Sequence, residues 1–263
     1  MNKPSPLTKK EAGFILLSVL FVSVLVSRAA PAAAFVPPAT LPGGFTLQWT
    51  ADPARGLSTF EGVEYRDRAN SIWVKSDTFG FDMQMSDRDG SDRQRHEVKG
   101  MNAPGEGNIS ILQGETWMFV YEMFIPNSLT GGSRFTHIHQ MKMVSDAGSS
   151  GGPVITLSTS VSGNTQTLLP RVIGGFNYIP LSTVWDKWIE VTFEYKCDLS
   201  SNGGYARWAV KDLASGATLT DQKKNGSVWA NEGTKDRRVR PKWGIYRSIE
   251  SSGLKDCYLL DDG

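Results

Sequence analysis

Three segments of this sequence carry charged or titratable side chains at alternate positions, the spacing that places them on one face of a β-strand. In Arg93-Gln94-Arg95-His96-Glu97-Val98-Lys99, the residues Arg93, Arg95, Glu97 and Lys99 share a face, so three cations surround one carboxylate. Such a strip suits an incoming carboxylate, with Glu97 placed to orient a neighbouring arginine. Taken alone it would serve equally as an exposed cross-strand salt-bridge ladder. In Phe135-Thr136-His137-Ile138-His139-Gln140-Met141-Lys142, two of the three histidines lie two residues apart, and His137 and His139 are expected on the same face. Imidazole titrates near neutrality and can donate a hydrogen bond or accept a proton. The pair could also be structural, or half of a transition-metal site that only His96 remains to complete. In Arg240-Pro241-Lys242-Trp243-Gly244-Ile245-Tyr246-Arg247-Ser248, the residues Lys242, Gly244, Tyr246 and Ser248 share a face. Gly244 is expected to leave a gap where a ring can approach the backbone, with Tyr246 standing beside it.

The elements that must hold these side chains are short strands. β-prone runs alternate with turn signals from Gly44 onward: Gly44 to Trp49, Ser71 to Val74, Thr116 to Ile125, Val154 to Ser160, Trp188 to Lys196, Ala206 to Asp212 and Asp256 to Leu260, besides the three segments above. Trp188 to Lys196 alternates apolar and polar residues, as a strand does with one face on a core and one in water. Twenty-seven glycines and thirteen prolines supply turns, and helix signal is nearly absent beyond the first residues. The fold class that follows is all-β: an antiparallel β-sandwich. Lysine plus arginine total 28 against 27 acidic residues, so no global field attracts nucleic acid or an acidic membrane, and any attraction for a polyanion is local. The eight tryptophans can fill a large core or stack on flat rings.

Residues 1–34 read as a secretory signal: Lys9 and Lys10, an apolar run from Phe14 to Val26, and small residues at 29–34 where cleavage is expected. That leaves residues 35–263 as a single domain, secreted and extracellular, with no membrane attachment once the signal is removed. In an oxidising compartment Cys197 and Cys257 are expected to form a disulfide. Asn108-Ile109-Ser110 and Asn225-Gly226-Ser227 fit the glycan-acceptor pattern.

Taken together, the three charged strands resemble the signature strands of polysaccharide lyases with the alginate-lyase-type jelly roll, which read Arg-x-Glu-x-Arg, Gln-Ile-His and Tyr-x-Lys-x-Gly-x-Tyr-x-Gln. The matching stretches are Arg95 to Lys99, His137 to His139 and Arg240 to Ser248, in the same order. His137 stands where the family has glutamine, Arg240 where it has the first tyrosine, Ser248 where it has the last glutamine and Lys99 where it has an arginine. The Trp-Gly-Ile-Tyr-Arg ending is closer to the related glucuronan lyases. The resemblance implies a concanavalin A-like jelly roll with a concave substrate groove, acting as a monomer on an acidic polysaccharide. It also implies a structural calcium in some relatives, although the chemistry requires no cofactor.

Cleaving a 4-linked uronate by β-elimination needs a carboxylate neutraliser, a base for the C5 proton and an acid for the leaving O4. The resemblance points to Arg95 and His137 for the first task and to Tyr246 as proton carrier, with His139 as base if the substrate is L-guluronate. Arg93, Glu97, Lys99, Lys242 and Arg240 would bind the substrate, and Lys242 beside Tyr246 would favour the phenolate. Two other functions compete with a lyase: a lectin-like binding module, for which Tyr246 is unnecessary, and a glycoside hydrolase, which needs a pair of carboxylates across the cleft. No Glu-x-Asp-x-x-Glu strand is present to supply that pair.

Overall fold

The computed structural model describes residues 42–64, 68–144, 152–171, 175–229 and 238–262. The expected signal at 1–34 lies outside them. In chain order the strands are β1 (Gly62–Glu64), β2 (Ile72–Lys75), β3 (Thr78–Met83), β4 (Arg93–Lys99), β5 (Met101–Ala103), β6 (Gly107–Ile109), β7 (Thr116–Ile125) and β8 (Thr136–Val144). There follow β9 (Pro153–Ser162), β10 (Thr165–Arg171), β11 (Ile179–Pro180), β12 (Lys187–Lys196), β13 (Tyr205–Asp212), β14 (Thr218–Asn225), β15 (Arg238–Ser248) and β16 (Cys257–Asp262). Two seven-stranded sheets result, β1-β4-β15-β8-β9-β10-β11 (sheet A) and β14-β13-β12-β7-β16-β3-β2 (sheet B), and the chain is an antiparallel β-sandwich. The three charged segments, β4, β15 and β8, are consecutive neighbours in sheet A.

Apolar residues at alternate positions explain the layering. Ile189, Val191, Phe193 and Tyr195 of β12 are buried while their neighbours are partly exposed, as its sequence alternation requires. They meet Val98, Ile138, Met141, Leu157, Val239 and Ile245 of sheet A in one core. Trp208 and Trp243 are among the core fillers. The expected strand at Gly44 to Trp49 does not form. Pro42–Gly44 is a 3₁₀ turn, Gly43 and Gly44 have positive φ, and residues 45–52 take no ladder partner.

Two irregularities decide what faces outward. Along β8 and β9 the pairing slips between His137 and His139, where His137 opposes Ser158 and His139 opposes Leu157, so β8 carries an extra residue there. Along β15 and β8 it slips between Trp243 and Tyr246. Such a bulge puts two successive residues on the same side of the sheet. Ile138 and His139 both enter the core, while His137, Gln140 and Lys142 lie on the outer face. The expectation that the two histidines share a face is therefore corrected.

Gly244 is also corrected. Its φ is +121°, and a Cβ on it would lie 2.2 Å from the His96 carbonyl oxygen and 2.8 Å from the Phe81 ring. It is glycine because the backbone passes tightly over β4 and the core at the slip, and no ring-sized gap is needed to explain it.

The expected disulfide is overturned. Cys197 and Cys257 are both free and buried. Cys197 follows β12 and donates a hydrogen bond from its N–H to the Glu115 carbonyl, just before β7. Cys257 opens β16, three residues before Leu260, which pairs with Phe124 near the end of β7. The length of β7, roughly 30 Å at ~3.4 Å per residue, separates two thiols whose Cα atoms would have to come within about 7 Å. Among the described residues no helix is long and apolar enough to cross a membrane.

Candidate active site

The register of sheet A brings Arg95, Tyr246, His137 and Ser158 into one row across four strands, since Tyr246 opposes Arg95 on one side and His137 on the other, and His137 opposes Ser158. The Tyr246 hydroxyl accepts a hydrogen bond from Arg93 Nη1 at 2.9 Å. The Arg95 guanidinium carbon lies 4.0 Å from the centroid of the Tyr246 ring, a cation–π contact. Phe135 packs against the same ring at 4.9 Å and against His137 at 5.2 Å, centroid to centroid. The phenol is thus fixed by an arginine on its oxygen, an arginine on its ring and a phenylalanine beside it. His137 Nδ1 is 2.8 Å from Ser158 Oγ, which is 3.0 Å from Thr156 Oγ1. Burial, and then the positive charge of Arg171, pull the His137 pKa down to about 4, so the ring is neutral at neutral pH.

Beside this row lies a network of alternating charge. Glu64 accepts from Lys99 Nζ at 2.8 Å, from Arg95 Nη1 at 3.1 Å and from Lys242 Nζ. Burial alone would raise the Glu64 pKa, but Lys242 and Lys99 outweigh it and hold it at about 2. Glu97 is fully buried, accepts from Gln140 Nε2 and lies 3.6 Å from both Arg95 and Lys242. For Glu97 burial dominates, and its pKa is raised. Arg95 Nε also lies 3.1 Å from Asp89. These contacts lock the Arg95 side chain over Tyr246 through three carboxylates.

The sequence-chosen residues divide accordingly. Arg93, Arg95, Glu97, Lys99, Lys242, Tyr246 and His137 are brought to one face. Lys242, however, is buried against Glu64 and Glu97, and the cation on the phenol oxygen is Arg93. Arg240 lies farther along β15, opposite Lys142, and donates to Glu61 at 2.7 Å, beside a bidentate Arg238–Glu61 pair. His139 is in the core, 5.4 Å from the Phe193 ring, 5.5 Å from Tyr121 and 5.4 Å from Trp243. Among the described residues neither of its ring nitrogens has a hydrogen-bond partner, and burial depresses its pKa to about 3. Nothing bound on the outer face reaches it. Asn108 and Asn225 are both exposed, as glycan acceptors must be.

Four participants escaped sequence reasoning: Glu64, Gln140, Phe135 and Ser158. Three cations on β4 and one on β15 required counter-charge from a neighbouring strand, a signal for Glu64. Gln140 was concealed by the bulge, which shifts the outward positions of β8 by one residue. Among the described residues no group of three or more His, Cys, Asp and Glu side chains is arranged to hold a metal ion.

An antiparallel β-sandwich with an Arg–Tyr–His row on one open sheet defines the class of site. No family model matches the sequence, and no curated protein matches it. Among solved structures the chain is similar to an alginate lyase from Pseudomonas aeruginosa, with a TM-score of 0.47, 12% identity, and 74% of this chain and 83% of that chain covered. It is also similar to a marine PL-14 alginate lyase from Aplysia kurodai, with a TM-score of 0.46, 12% identity, and 73% and 85% covered. An alginate lyase from polysaccharide lyase family 7 gives a TM-score of 0.44, 16% identity, and 74% and 80% covered. The roles assigned below rest on the geometry of the row itself.

Proposed function

We propose that the protein is a polysaccharide lyase that cleaves a 4-linked β-D-uronic-acid polymer, foremost a glucuronan, by β-elimination on the outer face of sheet A. The observation that carries this reading is the Arg93 hydrogen bond to the Tyr246 hydroxyl, in a row that also holds Arg95 and a neutral histidine. Arg95 and His137 receive the C5 carboxylate and stabilise the enolate-like charge that develops on it. In the tautomer in which Ser158 donates to Nδ1, His137 keeps its Nε2 proton for that carboxylate. Tyr246, with Arg93 holding the phenolate, takes the C5 proton. The C5–H electron pair becomes the C4–C5 double bond, the C4–O4 bond breaks, and the phenol returns its proton to O4.

In β-linked D-glucuronate or D-mannuronate the C5 hydrogen and O4 lie on the same side of the ring, so one tyrosine serves both transfers. L-guluronate would require a second base on the opposite side, and His139, the residue chosen for that task, is in the core. This favours the β-D-linked substrates. Export by the 1–34 leader and action as a monomer on a polymer outside the cell complete the reading, and every step drawn uses side chains alone.

The test is incubation of the protein with glucuronan, polymannuronate and polyguluronate while the ultraviolet absorbance of the unsaturated product is followed. Absorbance should grow on glucuronan and stay near background on polyguluronate. A preference for polyguluronate overturns the single-tyrosine scheme. Binding of all three polymers without product marks a lectin-like module instead.

A further inference from the structure

The outer face of sheet A carries more cations than the reaction drawn above employs. Arg93 is paired with Asp92, Lys99 and Lys242 with Glu64, Arg95 with Glu64 and Asp89, and Arg238 and Arg240 with Glu61. Each of these is held by a carboxylate of the chain itself. Lys142 is different. It projects half-buried from β8 on the same face as His137 and Gln140, and among the described residues no hydrogen bond or ion pair holds its ammonium. Arg171, which also lacks a described carboxylate partner, is exposed and donates to Ser160 Oγ at 2.7 Å.

The neighbours of Lys142 make its position costly. It lies directly opposite Arg240 across the β8–β15 ladder, and Lys242, which opposes Gln140, is its diagonal neighbour on β15. Like charges directly opposed in a ladder are destabilising, and a half-buried cation without a partner adds a desolvation cost. Burial first, and then the positive charges of Lys242 and Arg95, lower its pKa, with Glu64 and Glu97 opposing them. The ammonium therefore lies near enough to the Arg–Tyr–His row to feel Arg95. A cation kept at that cost among other cations is a place for an anion that the fold does not itself supply.

The face on which the lysine stands selects the anion. A polyuronate carries a carboxylate on every unit, whereas Arg95, Tyr246 and His137 engage only the unit that is cut. We infer that Lys142 receives the carboxylate of a uronate unit flanking the cut one, and that the protein thereby selects runs of consecutive uronates over chains in which neutral sugars intervene. The inference rests on the lyase reading for its ligand. An ammonium on a flexible stem suits the task, because it meets a carboxylate as a point charge in whatever rotation the flanking unit takes, while the carboxylate at the cut is met by the rigid fork of Arg95. The flanking unit does not react, so its contact is equally strong before and in the transition state and lowers KM without raising kcat.

Lys142→Met and Lys142→Arg are compared with the parent on glucuronan, with kcat and KM determined separately at raised salt, which screens long-range attraction. Calorimetric titration reads binding of the same polymer, and of glucuronan with its carboxyl groups reduced to alcohols, in the Tyr246→Phe background. Lys142→Met should raise KM and weaken glucuronan binding by about tenfold or more, with kcat within about twofold of the parent. Lys142→Arg should stay within about threefold, since it keeps the charge. On the reduced polymer all three should bind alike, and the melting temperature of Lys142→Met should hold or rise, because an unpartnered cation is removed.

Unchanged KM and binding in Lys142→Met overturn the inference and leave the lyase reading intact. So does a loss confined to kcat, which would make Lys142 part of the reaction, an equal weakening on the reduced polymer, which would make its role one of packing, or a clear fall in melting temperature, which would mean that a group of the chain itself is its partner. If the parent forms no unsaturated product the lyase reading fails, and the titrations still decide: tenfold weaker binding of glucuronan by Lys142→Met supports the carboxylate site, and a parent that does not bind glucuronan overturns it.

Discussion

The two faces of the β8–β15 seam treat chemically similar groups in opposite ways. On the outer face His137 is hydrogen-bonded to Ser158 and lies in line with Tyr246 and Arg95. Two residues along the chain, His139 is enclosed by Phe193, Tyr121 and Trp243, with both nitrogens unpartnered among the described residues. One extra residue in β8 separates these fates. Residue type therefore sets what a side chain can do, while strand register sets whether it has a substrate to do it to. Polar groups on the outer face are held by one another, and Arg95 alone is engaged by Glu64, Asp89 and Glu97. This is the preorganisation that stabilising a developing charge requires.

The largest expected effect comes from removing the oxygen at the centre of the row. Tyr246→Phe should lower kcat on glucuronan by about 10³-fold or more, within the range for positioned acid–base groups, with the melting temperature nearly unchanged. Retained turnover would move the proton transfers elsewhere. Next is the seam itself. Gly244→Ala should destabilise the fold by about 3 kcal/mol, because its Cβ would meet the His96 carbonyl in a backbone conformation unfavourable to alanine. Denaturant unfolding measures this, and a neutral result would mean that the slip can be rearranged.

A smaller effect is the pH dependence of stability. Both histidines have folded-state pKa values below the ordinary 6.5, about 4 for His137 and about 3 for His139. The unfolded chain therefore binds their protons first as pH falls. Their contribution is fully present above about pH 6.5 and is lost on acidification toward pH 4 and then 3. Glu64, held at about 2, adds a loss that begins near its ordinary value of 4.5. Melting temperatures from pH 7 to 4 should fall, and a flat profile would contradict the burial of both rings. The smallest effect concerns the thiols. Cys197 and Cys257 are buried, and burial pushes the Cys257 thiol up to about 11. Both should resist alkylation in the native protein and react fully once it is denatured, whereas a missing pair of thiols under denaturing, non-reducing conditions would reinstate a disulfide.

Much of this arrangement was legible in the sequence, for a physical reason. The alternation of β4 and of β12 is uninterrupted, so period-two reasoning placed Arg93, Arg95, Glu97 and Lys99 on one face and Ile189, Val191, Phe193 and Tyr195 on the other kind of surface, the core. The same reasoning failed for His139 and concealed Gln140, because a bulge is set by the fit of β8 to its neighbours and leaves no mark on local composition. Lys242 was assigned to Tyr246 because nothing in β15 announces Glu64, which arrives from a three-residue strand far away in sequence. The cysteines misled for another reason. Compartment chemistry says whether a disulfide is allowed, while the ends of β7 decide whether two thiols can meet.

The separation of the two histidines is tested most directly by His139→Phe, assayed for unsaturated product on glucuronan with kcat and KM determined separately. Phenylalanine fills the same aromatic nest and removes two unpartnered buried nitrogens, so kcat should stay within about twofold of the parent and the melting temperature should hold or rise. A folded His139→Phe protein that has lost its turnover would place that imidazole in the reaction and contradict the outer-face row as the site of chemistry.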